Sequence, residues 1–299
     1  AFSGKYKSLF LANQGSYQDR LTALMDAITE VYASTFGPDP IEYRKERNLL
    51  DFHEEMAILI QEVVGVKAGK YFFPAFAGVA FSFNEFRWSP RLERDNGLLR
   101  LVPGLGTRAV DRIGDEYPLL LAPGQPSLRV NTNPEDVMQY SPHCIDLIDL
   151  EQNSFVTHNL ADILKEIQDE YPKVEQLFSV YEDGLITEKT RLGIDFEHDN
   201  LLFTMNDFLR KSPFLNDLRN LLNTLREKIG IGVDIEFAHD GENLYILQCR
   251  GQGLSSENAP SLIPQDINEQ NIVFNANAYI SNRPIPEILN IRRRPHNFQ

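Results

Sequence analysis

Asp234, Glu236, Gln248 and Arg250 are four residues whose types and spacing suit one chemistry. Hard divalent cations such as Mg²⁺ take carboxylate and carbonyl oxygens. A planar guanidinium grips phosphate oxygens in two places at once. Successive side chains of an extended strand alternate between faces, so two acids spaced by two share one face, as do the amide and the arginine. If the two pairs meet, they form a surface for metal and phosphate. An antiparallel hairpin with one solvated face alternates in the same way without any chemistry. Spacing alone does not choose between the two.

The elements that must bring the pairs together lie in residues 230–252. Ile231, Val233, Ile235 and Phe237 alternate with Gly232, Asp234, Glu236 and Ala238, the period of a half-buried strand. His239, Asp240, Gly241, Glu242 and Asn243 supply turn chemistry, and residues 244–250 form the returning strand of a hairpin. Pairing that sets Glu236 across from Gln248 or a same-face neighbour makes the four side chains converge.

The run GVDIEFAHDGENLYILQCRGQ resembles the end of the nucleotide-binding domain of the phosphoenolpyruvate synthase and pyruvate phosphate dikinase family. The family pattern is Asp-Ile-Glu-Trp/Phe, a short turn, then Leu-Tyr-Ile-Leu-Gln-x-Arg. The resemblance implies an α+β fold of the ATP-grasp type, in which two lobes close on ATP. By matching positions, Glu236 and Gln248 are the expected Mg²⁺ ligands, Asp234 supports them, and Arg250 contacts phosphate. Cys249 and Gly251 depart from the family's commoner Ala or Thr and Pro, and neither is an expected ligand.

Further matches extend the resemblance along the chain. Phe2-Ser3-Gly4 resembles the start of the family's mobile loop over the ATP phosphates, which implies a chain that begins in mid-domain, without the Lys and Arg of the preceding lobe. Lys5 and Lys7 follow as phosphate candidates, although exposed lysines near a chain end are commonly just solvated. Residues 56–64, MAILIQEVV, form an apolar run expected of a central strand covered on both sides. They match the family strand that ends at the adenine-binding hinge, so Gln61, Glu62 and Val63 are implied at the adenine edge. AGVAFS at 77–82 matches a further strand, but Asn84 and its neighbours replace the family's Asp-Pro-x-Thr-Gly. Gly104 and Gly106 match the Gly-Leu-Gly-Glu segment and permit close backbone approach to phosphate, with Thr107 in place of Glu. Trp88 suits core or a ligand wall.

The rest of the chain is organisation. Residues 17–36 carry apolar groups at helical spacing, a packing helix stopped by Pro38 and Pro40, and residues 41–47 begin a second helix. Residues 134–140 and 160–168 read as helices and 203–229 as one long helical stretch. Between 118 and about 200 the family matches thin out, which suggests a family-specific insertion or a small β-rich subdomain hung on the lobe. The expected division is 1–55 for the end of a first lobe, 56–252 for the second, and 253–299 for a linker tail toward a domain bearing a carrier His.

Composition bounds the function. A formal charge of −14 argues against a nucleic-acid footprint, since phosphate backbones reward clustered Lys and Arg. Two cysteines make no disulfide framework, so a reducing cytoplasm is the expectation. His143 beside Cys144 lacks the further ligands of a metal site. No apolar run has membrane-spanning length. Surface left by an absent lobe would expose apolar patches and favour homo-oligomers. The expected activity is ATP-dependent phosphoryl transfer through a carrier His to pyruvate. A phosphotransferase with another acceptor and a non-catalytic scaffold of the same fold are the alternatives.

Overall fold

The computed structural model describes residues 6–46, 48–52, 55–110 and 117–252. In chain order it runs α1 (Tyr17–Ala33), α2 (Pro38–Glu46), β1 (Val66–Ala68), β2 (Tyr71–Phe73), β3 (Phe76–Phe81), β4 (Leu98–Pro103), α3 (Thr107–Val110) and β5 (Leu119–Leu121). It continues through α4 (Pro134–Gln139), β6 (Cys144–Asp149), β7 (Ser154–Asn159), α5 (Leu160–Ile167), α6 (Val174–Leu177), β8 (Phe178–Glu182) and β9 (Leu185–Thr187). The last described elements are β10 (Asn200–Phe203), α7 (Asn206–Lys211), α8 (Phe214–Ile229), β11 (Val233–His239) and β12 (Leu244–Gly251).

Three antiparallel sheets result, an α+β arrangement: β1-β2-β6-β7, β10-β8-β9 and β12-β11-β3-β4-β5. The five-stranded sheet carries the hairpin at one edge, with β11 between β12 and β3. Its inner face, including Ile235, Phe237, Phe76, Leu99 and Leu101, joins the same core as Ile145, Leu147, Ile163 and Leu164. The stretch from 118 to 200 therefore shares one core with the hairpin. Each fully buried side chain of this size contributes about 1.5–3 kcal/mol. At the centre His239 stacks on Phe76 at 4.7 Å, with Phe208 and Phe214 edge-on to both. Burial lowers the pKa of His239, and its Nδ1 accepts from the Gly241 amide at 3.0 Å. The sequence placed His239 in the turn; it is the last residue of β11, and the turn proper is organised by Asp240, whose Oδ1 accepts from the amides of Glu242 and Asn243.

Four other expectations are corrected. Residues 56–64 form no strand: Leu59 and Ile60 are 71% and 61% exposed, and the segment has no ladder partner among the described residues. An apolar run specifies burial only where a neighbouring strand pairs with it. Residues 203–229 form three elements, because Phe203 closes β10 and the Ser212-Pro213 step separates α7 from α8; a proline cannot continue a helix interior and pushes the preceding residue out of the helical region. Helix α1 forms, capped by Ser16 and Asp19, but it packs only partly: none of its residues is fully buried, and Leu24, Ile28 and Val31 on its apolar stripe are half-buried. Pro38 does not merely stop α1; it opens α2, where a missing amide hydrogen costs nothing. Among the described residues, no helix is long and apolar enough to cross a membrane.

Candidate functional site

The register of the five-stranded sheet sets the site. Glu236 lies directly opposite Gln248 on β12 and opposite Val79 on β3, and Asp234 lies opposite Arg250 and Phe81. Directly paired residues project to one face. Asp234, Glu236, Gln248 and Arg250 therefore share the face that points away from the main core, and an irregularity between Glu236 and Phe237 follows immediately.

On that face Arg250 ties the acids together. Its Nε donates to Asp234 Oδ1 at 2.6 Å, and its Nη2 stands 3.5 Å from Glu236 Oε1. The side chains of Asp234, Arg250 and Glu236 are 11%, 21% and 27% exposed, while Gln248 is exposed. Burial raises the Asp234 carboxyl pKa, opposed by the neighbouring guanidinium. Cys249 projects to the opposite face, paired with Ile235, and burial pushes its thiol up. Two carboxylates thus converge on one cationic group, with an amide beside them. This all-oxygen donor set suits Mg²⁺, which is commonly held by one or two carboxylates together with substrate phosphates. No cluster of three or more His, Cys, Asp and Glu suited to a metal exists among the described residues, so any metal here relies on the amide, water or ligand for its remaining donors.

The other sequence candidates fall in two places. Gln61 reaches the hairpin: its Nε2 donates to the Leu247 carbonyl at 2.9 Å, which ties the segment to β12, the edge strand among the described residues. Glu62 is exposed and Val63 half-buried beside it. Gly104 and Gly106 serve packing. Gly104 has φ +68°, and an added Cβ would stand 2.5 Å from the Asp146 carbonyl oxygen; Gly106 packs on Ala77. The close approach at Gly104 is to the protein's own β6, a bridge made by Gly104 and Asp146. Thr107 and Arg108 follow suit. The Thr107 hydroxyl and Arg108 Nε donate to the Asp146 carboxylate, the latter at 3.0 Å, and Thr157 donates to it as well. Trp88 donates to the Leu128 carbonyl at 3.0 Å. His143 Nε2 contacts the Gln139 carbonyl oxygen at 3.3 Å, and Cys144 is half-buried and in no disulfide. Lys7 pairs with Glu30 at 2.5 Å. Lys5, the Phe2-Ser3-Gly4 loop and the 253–299 tail lie outside the described residues.

Sequence reading missed Arg100. It lies opposite Val79, two strands from Glu236 in one cross-sheet row. Its guanidinium stands 5.4 Å from the centre of the Phe81 ring. The available signal was a charged residue in the middle of the apolar run Leu98–Pro103. Val79, Val102 and Ala109 form a small second core at one end of this face, where α3 covers it, with Phe81 packed against them.

Comparison with known proteins finds one family match. The model described as "Pyruvate phosphate dikinase, AMP/ATP-binding domain" matches residues 1–271. No curated protein matches the chain.

Proposed function

Because this chain belongs to the family of pyruvate phosphate dikinase AMP/ATP-binding domains, we propose that it binds Mg-ATP on the outward face of its hairpin, as part of an ATP-grasp phosphotransferase. The observation that carries the reading is the convergence of Asp234, Glu236 and Arg250, with Gln248 opposite Glu236. Glu236 and Gln248 would hold Mg²⁺, with Asp234 behind them. The bound cation would supply charge neutralisation at the phosphate oxygens, the main requirement of phosphoryl transfer. Arg250 has the planar fork suited to phosphate, and a ligand phosphate competes with the acids for it. Gln61 holds residues 61–63 against the hairpin edge, where they would line the adenine side. Following the family, the phosphoryl group passes to a carrier His and then to pyruvate. Under this reading residues 1–55 close one lobe, 56–252 form the second, and 253–299 lead away.

A second reading, a scaffold that keeps the fold without catalysis, draws on Thr107, which stands where the family has Glu and is engaged by buried Asp146. Exposed apolar side chains at Met25, Phe36, Leu59 and Ile60 favour association with a companion lobe or a second copy; sedimentation of a clean monomer at high concentration speaks against the second copy.

Calorimetric titration of the full-length protein with Mg-ATP tests the proposal. Glu236→Ala and Arg250→Ala should each weaken binding about 10–100-fold and abolish ATP cleavage. Unchanged ATP cleavage in both variants would replace the enzyme reading with the scaffold.

A further inference from the structure

We propose that Gln252 is a positioning residue of this site, a side-chain clamp that holds the end of β12 and with it the guanidinium of Arg250. The inference rests on the nucleotide-binding reading above and extends it to a residue beyond the last expected ligand.

The ladder shows where a clamp is needed. β12 is the edge strand of its sheet among the described residues, with β11 as its ladder partner. An edge strand is held from one side, and strand ends open locally at little cost. Arg250 is the second-last residue of β12, and Val233 opposite Gly251 is the last paired step after it. On the other side of β11, the Ser82 amide donates to the Val233 carbonyl at 2.8 Å. β11 begins at Val233, so the chain leaving β3 runs out of ladder partner at Phe83.

Gln252 supplies the missing unit. Its backbone amide donates to the Gly232 carbonyl at 2.7 Å, one step beyond the last strand pair. Its side chain reaches past Gly232 to Phe83: Oε1 accepts from the Phe83 amide and Nε2 donates to the Phe83 carbonyl, each at 3.3 Å. A carboxamide offers an acceptor and donors together, so one side chain satisfies both backbone groups of Phe83. The path exists because residue 232 is Gly. A Cβ there would stand 2.6 Å from the Phe83 ring and 3.2 Å from Gln252 Oε1. Alternation along the strand carries Gln252 to the face of Gln248 and Arg250.

The anchor is itself held. The Phe83 ring centre lies 3.9 Å from the Arg94 guanidinium and 5.2 Å from that of Arg226. Arg94 pairs with Glu85 at 2.6 Å, and Arg226 of α8 pairs with Asp95 at 3.2 Å. Gln252 thus ties the end of β12, across β11, to a point fixed by α8 and by the connection between β3 and β4. A guanidinium that trades Asp234 for a phosphate gives up the contact that orients it at rest. The clamp two residues on keeps its backbone in place through the exchange, and small misplacements of a binding group are costly.

The test is a double-mutant cycle in full-length protein, with Mg-tripolyphosphate as the probe and calorimetry as the readout. Gln252→Ala should weaken binding about tenfold in the parent and in Glu236→Ala, but by less than about twofold in Arg250→Ala, where the group it positions is gone. Gln252→Met, of similar length but without either hydrogen bond, should give the same pattern and carries the comparison if Gln252→Ala does not fold. A loss of about tenfold that persists in Arg250→Ala makes Gln252 a general structural residue and overturns the inference while the nucleotide site stands. Parent-like affinity in both Gln252 variants overturns it equally. If Glu236→Ala and Arg250→Ala bind tripolyphosphate as the parent does, the underlying site fails and the inference falls with it.

Discussion

Asp146 with Arg108, and Asp234 with Arg250, are the same two chemical groups in two settings. The Asp146 side chain is 3% exposed and its oxygens accept from Thr107, Arg108 and Thr157. Three donors from α3 and β7 close around it, and the Gly104 backbone packs on the same strand. Asp234 has one partner guanidinium, which Glu236 shares, and the pair opens toward solvent through Arg250. A saturated acid fixes neighbouring elements in place. An acid that shares a guanidinium at a half-open face can exchange that partner for a cation and release the arginine to an anion. The difference separates a structural ion pair from a site, and among the described residues it lies in the donors that close around each acid and in its exposure rather than in residue type.

The largest expected effect breaks the locked pair. Asp146→Ala removes the buried carboxylate that accepts from Thr107, Arg108 and Thr157; removing one partner of a buried ion pair typically costs about 3–5 kcal/mol. Chemical denaturation should show that loss, while the protein that remains folded keeps its affinity for Mg-ATP within about twofold, since the site lies on another sheet. A stability change below about 1 kcal/mol would mean that the donors around Asp146 are dispensable.

Glu236→Ala should give the opposite split. Binding of Mg-ATP falls by the 10–100-fold expected for one charge-assisted contact, and unfolding free energy moves by less than about 1 kcal/mol because the side chain is partly solvated and leaves no unpaired buried charge. Equal losses of stability and affinity would erase the contrast between the two pairs. Gln61→Ala is smaller again. It removes one exposed hydrogen bond, worth about 0.5–1.5 kcal/mol or less. Hydrogen exchange should accelerate in 56–64 and along β12 with no change around Asp146. Uniform acceleration throughout the chain would show that the segment is not a local attachment.

What could be read from sequence follows the range of the signal. The hairpin was legible because alternation and turn residues act over a few positions, and the Glu236–Gln248 pairing needs only those. The break in the long helical stretch was also present locally, in Pro213. By contrast, residues 56–64 were misassigned since an apolar run carries no information about which strand lies beside it. Arg108 and Asp146 are separated by 38 positions, and Arg100 joins Glu236 only through the order β11-β3-β4. Neither contact follows until the sheets are assembled. At Gly104 the close approach in the structure is to the backbone of β6, a partner that only the assembled sheets supply.

The smallest expected effect concerns the proton on Asp234. Burial lifts its carboxyl pKa above the ordinary value and Arg250 opposes that rise. With the folded value above the unfolded value of about 3.9, the folded chain takes up this proton first as pH falls. The group's contribution to stability is therefore most favourable below the unfolded value and is lost as pH rises through the folded one. Arg250→Ala removes the opposing influence, so the carboxyl should titrate higher still and the window should widen upward. Asp234→Asn should flatten that segment of the pH–stability curve. Carboxyl-carbon NMR titration of parent and Arg250→Ala measures the displacement directly. A downward displacement, or none, would mean that Arg250 does not hold Asp234 ionised, and the competition between acid and phosphate for one guanidinium would lose its basis.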